Sequence, residues 1–256
     1  MLRTASELKG IGIAARDGDV GSVTDLYFDD ETWTISYFVV DTGTWLPGRQ
    51  VLVSPMAVAG EASADRIPVA LTRRQVEESP PIDADKPVNR QGEIEFARYY
   101  SYPYYWAGPY RWGLLGYPGI PPTPPPVDPV AAEMTARDRD QGDPNLRSVR
   151  DVSGYDLSAI DGDIGHVEDF VIDDKAWAIR YMIADTGNWW AGKKVVVSPE
   201  WIRDVSWPDS RVHVDLTRSQ IQSAPEYDPS QPIARDYEER LFQHHARRKY
   251  WEWEQR

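Results

Sequence analysis

The chain has 256 residues, 41% of them apolar, and sets 28 Lys and Arg against 41 Asp and Glu for a formal net charge of −13. An anionic surface repels phosphate backbones, so general nucleic-acid and anionic-membrane binding are disfavoured. There is no Cys, which excludes disulfides, thiol chemistry, Fe–S clusters and Cys-ligated zinc.

The opening Met1-Leu2-Arg3-Thr4-Ala5-Ser6-Glu7-Leu8-Lys9 lacks the apolar core of a signal peptide. No apolar run approaches the ~20 residues of a membrane helix, so the expectation is a cytoplasmic protein with no membrane span. After the Asp17-Gly18-Asp19 turn, Val20 to Asp29 is predicted as a strand. In Thr34 to Val40 the residues Ile35, Tyr37 and Val39 alternate with Thr34, Ser36 and Phe38, which predicts a strand with one core face. Asp41-Thr42-Gly43 ends it, Arg49 to Val53 is another strand stopped at Pro55, and Ile67 to Leu71 a further one. Thr72 then caps a short predicted helix that ends near Pro80.

The same series returns later. Asp17-Gly18-Asp19-Val20-Gly21 recurs as Asp161-Gly162-Asp163-Ile164-Gly165, Trp33 as Trp177, and Tyr37 as Tyr181. Asp41-Thr42-Gly43 recurs as Asp185-Thr186-Gly187, and Val51, Val53, Ser54 and Pro55 as Val195, Val197, Ser198 and Pro199, all at an offset of 144. After a one-residue insertion, Leu71-Thr72-Arg73 recurs as Leu216-Thr217-Arg218. Two copies of about 80 residues suit two folded domains better than a solenoid. Short strands with frequent turns predict a mainly β fold of two small barrels related by internal duplication, with short helices and a C-terminal helix. The expected divisions are 1–84, a connector 85–147, 148–228 and a tail 229–256. Trp33, Trp177, Tyr37 and Tyr181 are expected in the cores.

The order Asp-Gly-x-Val/Ile-Gly, strand, Asp-Asp, Trp, strand, Asp-Thr-Gly-x-Trp-x-x-Gly, Val-x-Val-Ser-Pro resembles the PRC-barrel domain, found in the cytoplasmic part of the photosynthetic reaction centre H subunit and in a ribosome maturation factor. The resemblance covers both repeats. It implies assembly or scaffolding, permits a link to a photosynthetic or membrane-associated assembly, and supplies no catalytic residues.

The connector packs rings between Gly and Pro, and Pro121-Pro122-Thr123-Pro124-Pro125-Pro126 predicts a polyproline II stretch. Residues 136–147 read as charged and flexible. Tyr99, Tyr100, Tyr102, Tyr104, Tyr105, Trp106, Tyr110 and Trp112 are candidate interaction residues, at least half buried on a barrel or on a second chain. Tyr237, Leu241, His244 or His245, Arg248 and Trp251 fall near one helical stripe in the tail, and Trp251 joins the candidates.

Chemistry-bearing motifs are weak. Val39-Val40-Asp41-Thr42-Gly43-Thr44 approaches an aspartic-protease motif, but the second copy reads Asp185-Thr186-Gly187-Asn188. Each lobe of such an enzyme should also offer an apolar-apolar-Gly segment beside the Asp, and Leu114-Leu115-Gly116 lies in the connector instead. Asp in these turns is expected to accept local backbone bonds while Gly supplies a positive φ. His166, His213, His244 and His245 have no ligand spacing, and no phosphate loop or nucleophile elbow is present. No catalytic residue, cofactor or metal is expected. The reading is a non-catalytic protein that binds a protein partner or itself, with no nucleic acid. The alternative is a small-molecule binder or aspartic-protease-like hydrolase in a cleft between the barrels.

Overall fold

The computed structural model describes residues 1–80, 88, 90–106, 110–112, 115–119, 146–187 and 193–252, with residues 90 and 91 described by backbone alone. The polyproline stretch, most of residues 136–147, Leu114, Asn188 and Trp189 lie outside the described residues. The fold is mainly β. Its strands in chain order are β1 (Leu2–Thr4), β2 (Gly12–Ala15), β3 (Gly18–Asp29), β4 (Thr34–Asp41), β5 (Gln50–Val53), β6 (Arg66–Pro68), β7 (Leu146–Ser148), β8 (Asp156–Ala159), β9 (Gly162–Asp173), β10 (Ala178–Asp185), β11 (Lys194–Val197), β12 (Ile202–Ser206) and β13 (Arg211–Val214). Among the described residues the α-helices are α1 (Ala5–Leu8), α2 (Arg73–Glu77), α3 (Arg90–Tyr100), α4 (Val149–Val152), α5 (Arg218–Gln222) and α6 (Arg235–His244).

The chain divides into two compact units that do not follow the sequence boundaries. The N-unit is Glu7–Arg150 with Asp174–Ala178, and the C-unit is Met1–Ser6, Asp151–Asp173 and Ile179–Arg256. Neither unit is one continuous stretch of sequence. Within the N-unit the strand order is β6-β2-β3-β4-β5, with β6 parallel to β2. β7 also pairs with β3, setting Leu146, Arg147 and Ser148 opposite Asp29, Phe28 and Tyr27. Within the C-unit the order is β12-β13-β8-β9-β10-β11, with β13 parallel to β8. There β1 pairs with β9, setting Leu2, Arg3 and Thr4 opposite Asp173, Ile172 and Val171. These are the same pairs displaced by 144. Each unit is thus completed by the strand that lies, in sequence, at the head of the other repeat.

The local reasons for these elements repeat as well. Thr72 and Thr217 each close a capping box, with Gln75 and Gln220 respectively, which satisfies two helix-end donors. A Cβ on Gly21 would stand 1.9 Å from the Asp41 carbonyl oxygen, and one on Gly165 would stand 2.0 Å from that of Asp185. Only Gly fits at either place.

Two core expectations change. β4 is buried along its whole run from Thr34 to Val40, not on alternate positions. Tyr37 meets Phe96 of α3 on one face, and Phe38 meets Trp177 on the other, so both faces are covered. Tyr37, Tyr181 and Trp177 are buried as expected, but Trp33 is only half-buried. Both Trp residues sit in the left-handed region, at φ 57 and 47, a turn conformation costly for a bulky residue. Trp177 belongs to the Asp174–Ala178 turn held in the N-unit, where its carbonyl accepts the Ile35 N–H at 2.8 Å. Trp33 stacks on Phe28 at 5.2 Å and stays half-buried.

Candidate functional site

The candidate interaction residues sit on and after α3, and the same construction follows α6. At an offset of 145, residues 90–106 correspond to 235–251. Ser101 and Ala246 both take a positive φ just past the helix, 56 and 50. Tyr102 N–H donates to the Ala97 carbonyl at 2.8 Å, and Arg247 N–H to the Phe242 carbonyl at 3.0 Å. Ser101 N–H and Ala246 N–H complete the motif on Arg98 and Gln243, a Schellman termination in each copy. The chain then folds back along its helix. Tyr105 Oη donates to Glu93 Oε1 at 2.6 Å, and Tyr250 Oη to Glu238 Oε1 at 2.8 Å. Each segment is a clasp: a helix, a left-handed reversal, and a buried Tyr returning to a buried Glu.

Both carboxylates are shut in with partners, as a buried charge requires. Glu238 also accepts the Tyr181 hydroxyl at 2.7 Å and pairs with Arg235 at 2.9 Å. Burial, then the Glu238 charge, pushes the Tyr181 and Tyr250 phenols far up, so both remain donors. Arg180 lies over the Tyr250 ring at 4.1 Å and bonds Asp173 at 3.0 Å. In the N-unit Tyr105 also approaches Asp29 at 3.5 Å. His244 and Tyr99 match too: Tyr99 Oη donates to the Gln75 carbonyl at 2.9 Å, and His244 Nε2 lies 3.1 Å from the Gln220 carbonyl.

The outward faces differ. In the N-unit Tyr100 stacks parallel to Tyr102 at 5.4 Å, Tyr99 meets Tyr100 edge-on, and Tyr104 stacks on Trp106 at 5.0 Å. Their counterparts in the C-unit are His245, Arg247, His244, Lys249 and Trp251. Lys249 lies 5.8 Å from the Trp251 ring, and Arg235 lies over it at 4.0 Å.

Among the candidates, Tyr105 and Trp112 are 4% and 1% exposed. Trp112 Nε1 donates to the Ala176 carbonyl at 2.7 Å inside the N-unit. Both are core residues, because a phenol and an indole with buried partners leave nothing to present. Tyr100, Tyr102, Tyr104, Trp106 and Trp251 are half-buried, and Tyr100 and Tyr102 rest on the cluster of Tyr27, Tyr37, Val39, Leu52, Phe96 and Leu146. Tyr99, Tyr110 and Tyr117 are exposed, at 38%, 59% and 60%. In the tail, Leu241 and His245 are buried, but Arg248 is exposed, and Glu238 and Phe242 complete the inner face.

The Asp-Thr-Gly turns are locally self-contained. Asp41 Oδ1 accepts the Gly43 N–H at 2.9 Å, and Asp185 Oδ1 the Gly187 N–H at 2.7 Å. Thr42 and Thr186 hydroxyls are buried on the Arg49 and Lys193 carbonyls at 2.7 and 2.6 Å. The Arg49 and Lys193 side chains in turn bond the carbonyls that end α2 and α5. Among the described residues no group of three or more His, Asp or Glu is placed to hold a metal ion. No helix among them is long and apolar enough to cross a membrane.

Each unit is a small mixed β domain closed by a helical clasp. Residues 144–221, from β7 into α5, match the family model described as PRC-barrel domain. That match stops before the clasp at Arg235, and it runs unbroken across Arg150 and Asp151, where the chain passes from one unit to the other. No curated protein matches the chain.

Proposed function

We propose that the chain is a non-catalytic protein-binding scaffold, and that its main docking surface is the aromatic face of the N-unit clasp: Tyr99, Tyr102, Tyr104 and Trp106. One observation carries this reading. The C-unit clasp makes the same helix end, the same Tyr–Glu bond and the same approach to the capping-box Gln with His, Arg and Lys in place of Tyr99, Tyr100, Tyr102 and Tyr104. The ring at 104 and the exposed edges at 99 and 102 are therefore more than the clasp itself needs. Tyr and Trp supply large rigid contact area at low entropic cost, which suits a protein interface. The PRC-barrel match supports an assembly role, and the local bonding of Asp41 and Asp185 supports a structural office for both. The test transplants the C-unit residues. Tyr99→His with Tyr104→Lys should leave the unfolding midpoint unchanged while a protein captured from host extract by the unaltered chain is lost. Retention of that partner at equal affinity would sink the surface.

A further inference from the structure

We infer that the N-unit carries a binding groove for a small amino acid in its zwitterionic form, with the ligand carboxylate on Arg66 and its ammonium among Asp19, Asp41 and Asp65. This surface is distinct from the aromatic face above, and neither proposal rests on the other.

The groove forms where β2, β6 and the start of β3 meet the turn after β4. Its volume is about 340 Å³, and Gly12, Asp19, Asp41, Gly43, Asp65 and Arg66 are among the residues that line it. That size suits a small molecule.

The C-unit builds the same corner and fills it. β6 sets Arg66 opposite Gly12 on β2, and β13 sets Arg211 opposite Asp156 on β8, parallel in both cases. Gly12 N–H donates to the Asp65 carbonyl at 2.9 Å, as Asp156 N–H does to that of Ser210. Arg211 is then fully committed. Its Nη2 donates to Asp156 Oδ2 at 3.0 Å, and its Nη1 to Asp163 Oδ1 at 2.7 Å and Ser158 Oγ at 3.0 Å. The N-unit has Gly12 and Ala14 where the C-unit has Asp156 and Ser158. Among the described residues Arg66 forms one ion pair, with Asp19 at 3.5 Å, and the two side chains are 57% and 73% exposed. An exposed pair at that distance contributes little. The guanidinium fork therefore stays available to a carboxylate. The C-unit shows what occupies that place, the carboxylate of Asp156, and in the N-unit a ligand supplies it.

The backbone does not require the opening. Gly12 is not among the glycines at positive φ. A Cβ on it would meet nothing nearer than the Asp65 carbonyl oxygen, at 3.4 Å, which is ordinary contact. An Asp fits at 12 as it does at 156, so the groove exists by choice of side chain.

The rest of the lining selects the other end of the ligand. Asp41 Oδ1 is anchored by the Gly43 N–H at 2.9 Å and Asp65 Oδ1 by the Ser63 hydroxyl at 2.8 Å. The Ser63 bond is the main cause that holds the Asp65 carboxyl below its usual range, so it stays ionised. Three carboxylates around one guanidinium disfavour a simple anion and attract an ammonium. Among the described residues no carboxylates are grouped to hold a metal ion, so the cation that fits is organic. A molecule carrying both charges satisfies both ends.

The test titrates glycine, β-alanine and γ-aminobutyrate, which differ in charge separation, into the ¹⁵N-labelled full chain. Acetate and methylammonium serve as single-charge controls. At least one amino acid should saturate the amide shifts of Gly12, Gly21 and Gly43, about tenfold more tightly than either control, while Gly165 and Gly187 stay still. Gly12→Asp, which copies the C-unit, and Arg66→Gln should each weaken binding about tenfold with the unfolding midpoint unchanged. Should Gly12→Asp shift the midpoint, the exposed Arg66→Gln decides. No saturation by any of the three amino acids, equal binding of acetate, or full affinity in Arg66→Gln overturns the proposal.

Discussion

The clasp at 90–106 and the clasp at 235–251 share four of seventeen residues: the Arg that opens the helix, Glu93/Glu238, Tyr105/Tyr250 and Trp106/Trp251. Their backbones nonetheless make the same reversals, because a Schellman end is built from main-chain bonds that many residues can provide. What is kept is the one bond a substitution would orphan, a phenol on a buried carboxylate. What diverges is the rest of the outward face, Tyr at 102 and 104 in one copy and Arg247 and Lys249 in the other. The lesson is that the inner residues of a clasp are tied to its Glu and the outer ones are free to specialise.

The largest expected effect separates the two turn tryptophans. Trp177→Ala should destabilise by about 3–5 kcal/mol, since it removes a buried ring packed on Phe38. Trp33→Ala, half-exposed, should lie near 1 kcal/mol. Urea unfolding of both variants checks this, and equal costs would mean that the two turns are packed alike.

Next come the buried carboxylates. Glu238→Ala and Glu93→Ala should each cost about 3 kcal/mol, because each leaves a buried phenol without its acceptor. A double-mutant cycle of Glu238→Gln with Tyr250→Phe should give a coupling of about 1–2 kcal/mol, and the Glu93/Tyr105 cycle a similar one. A coupling near zero in either copy would break the equivalence of the clasps.

A smaller effect follows from pH. Burial, then the charges of His244 and Arg247, lowers the His245 pKa to about 4, and its Nδ1 has no hydrogen-bond partner among the described residues. The unfolded imidazole protonates near pH 6.5, so the stability tied to the neutral ring is complete above that pH. It is lost as pH falls from about 6.5 toward 4, by on the order of 1–2 kcal/mol. Its counterpart Tyr100, pushed up to about 12 chiefly by burial, does not titrate in this window. Hydrogen exchange at pH 7 and 4.5 should therefore show residues 235–251 loosening more than 90–106, and His245→Phe should remove the difference.

The smallest concerns the connection between repeats. A protease site placed between residues 120 and 145 and then cut should leave the two fragments co-eluting, because each unit contains strands from both. Deleting residues 1–6 as well should weaken that association, and fragments that separate freely after the single cut would contradict the pairings of β1 and β7.

Much was legible in the sequence because its causes are local. The turn glycines, the Thr-x-x-Gln caps and the apolar strand cores each act within a few residues, so the offset of 144 carried β3 to β5 and β9 to β11 over together. The Asp-Thr-Gly turns were readable for the same reason. Other features were decided only in three dimensions. β4 alternates in sequence yet is buried on both faces, because α3 and the Trp177 turn arrive from elsewhere to cover it. Tyr105 and Trp112 look in sequence like their exposed neighbours, and only the positions of Glu93 and Ala176 draw them inside. The correspondence of connector and tail depends on main-chain bonds and four side chains, too few to stand out by eye. The exchange of β1 and β7 leaves no mark on composition at all, since a three-residue strand makes the same backbone bonds whichever repeat it comes from, and the choice rests on which groove the folded chain brings within its reach.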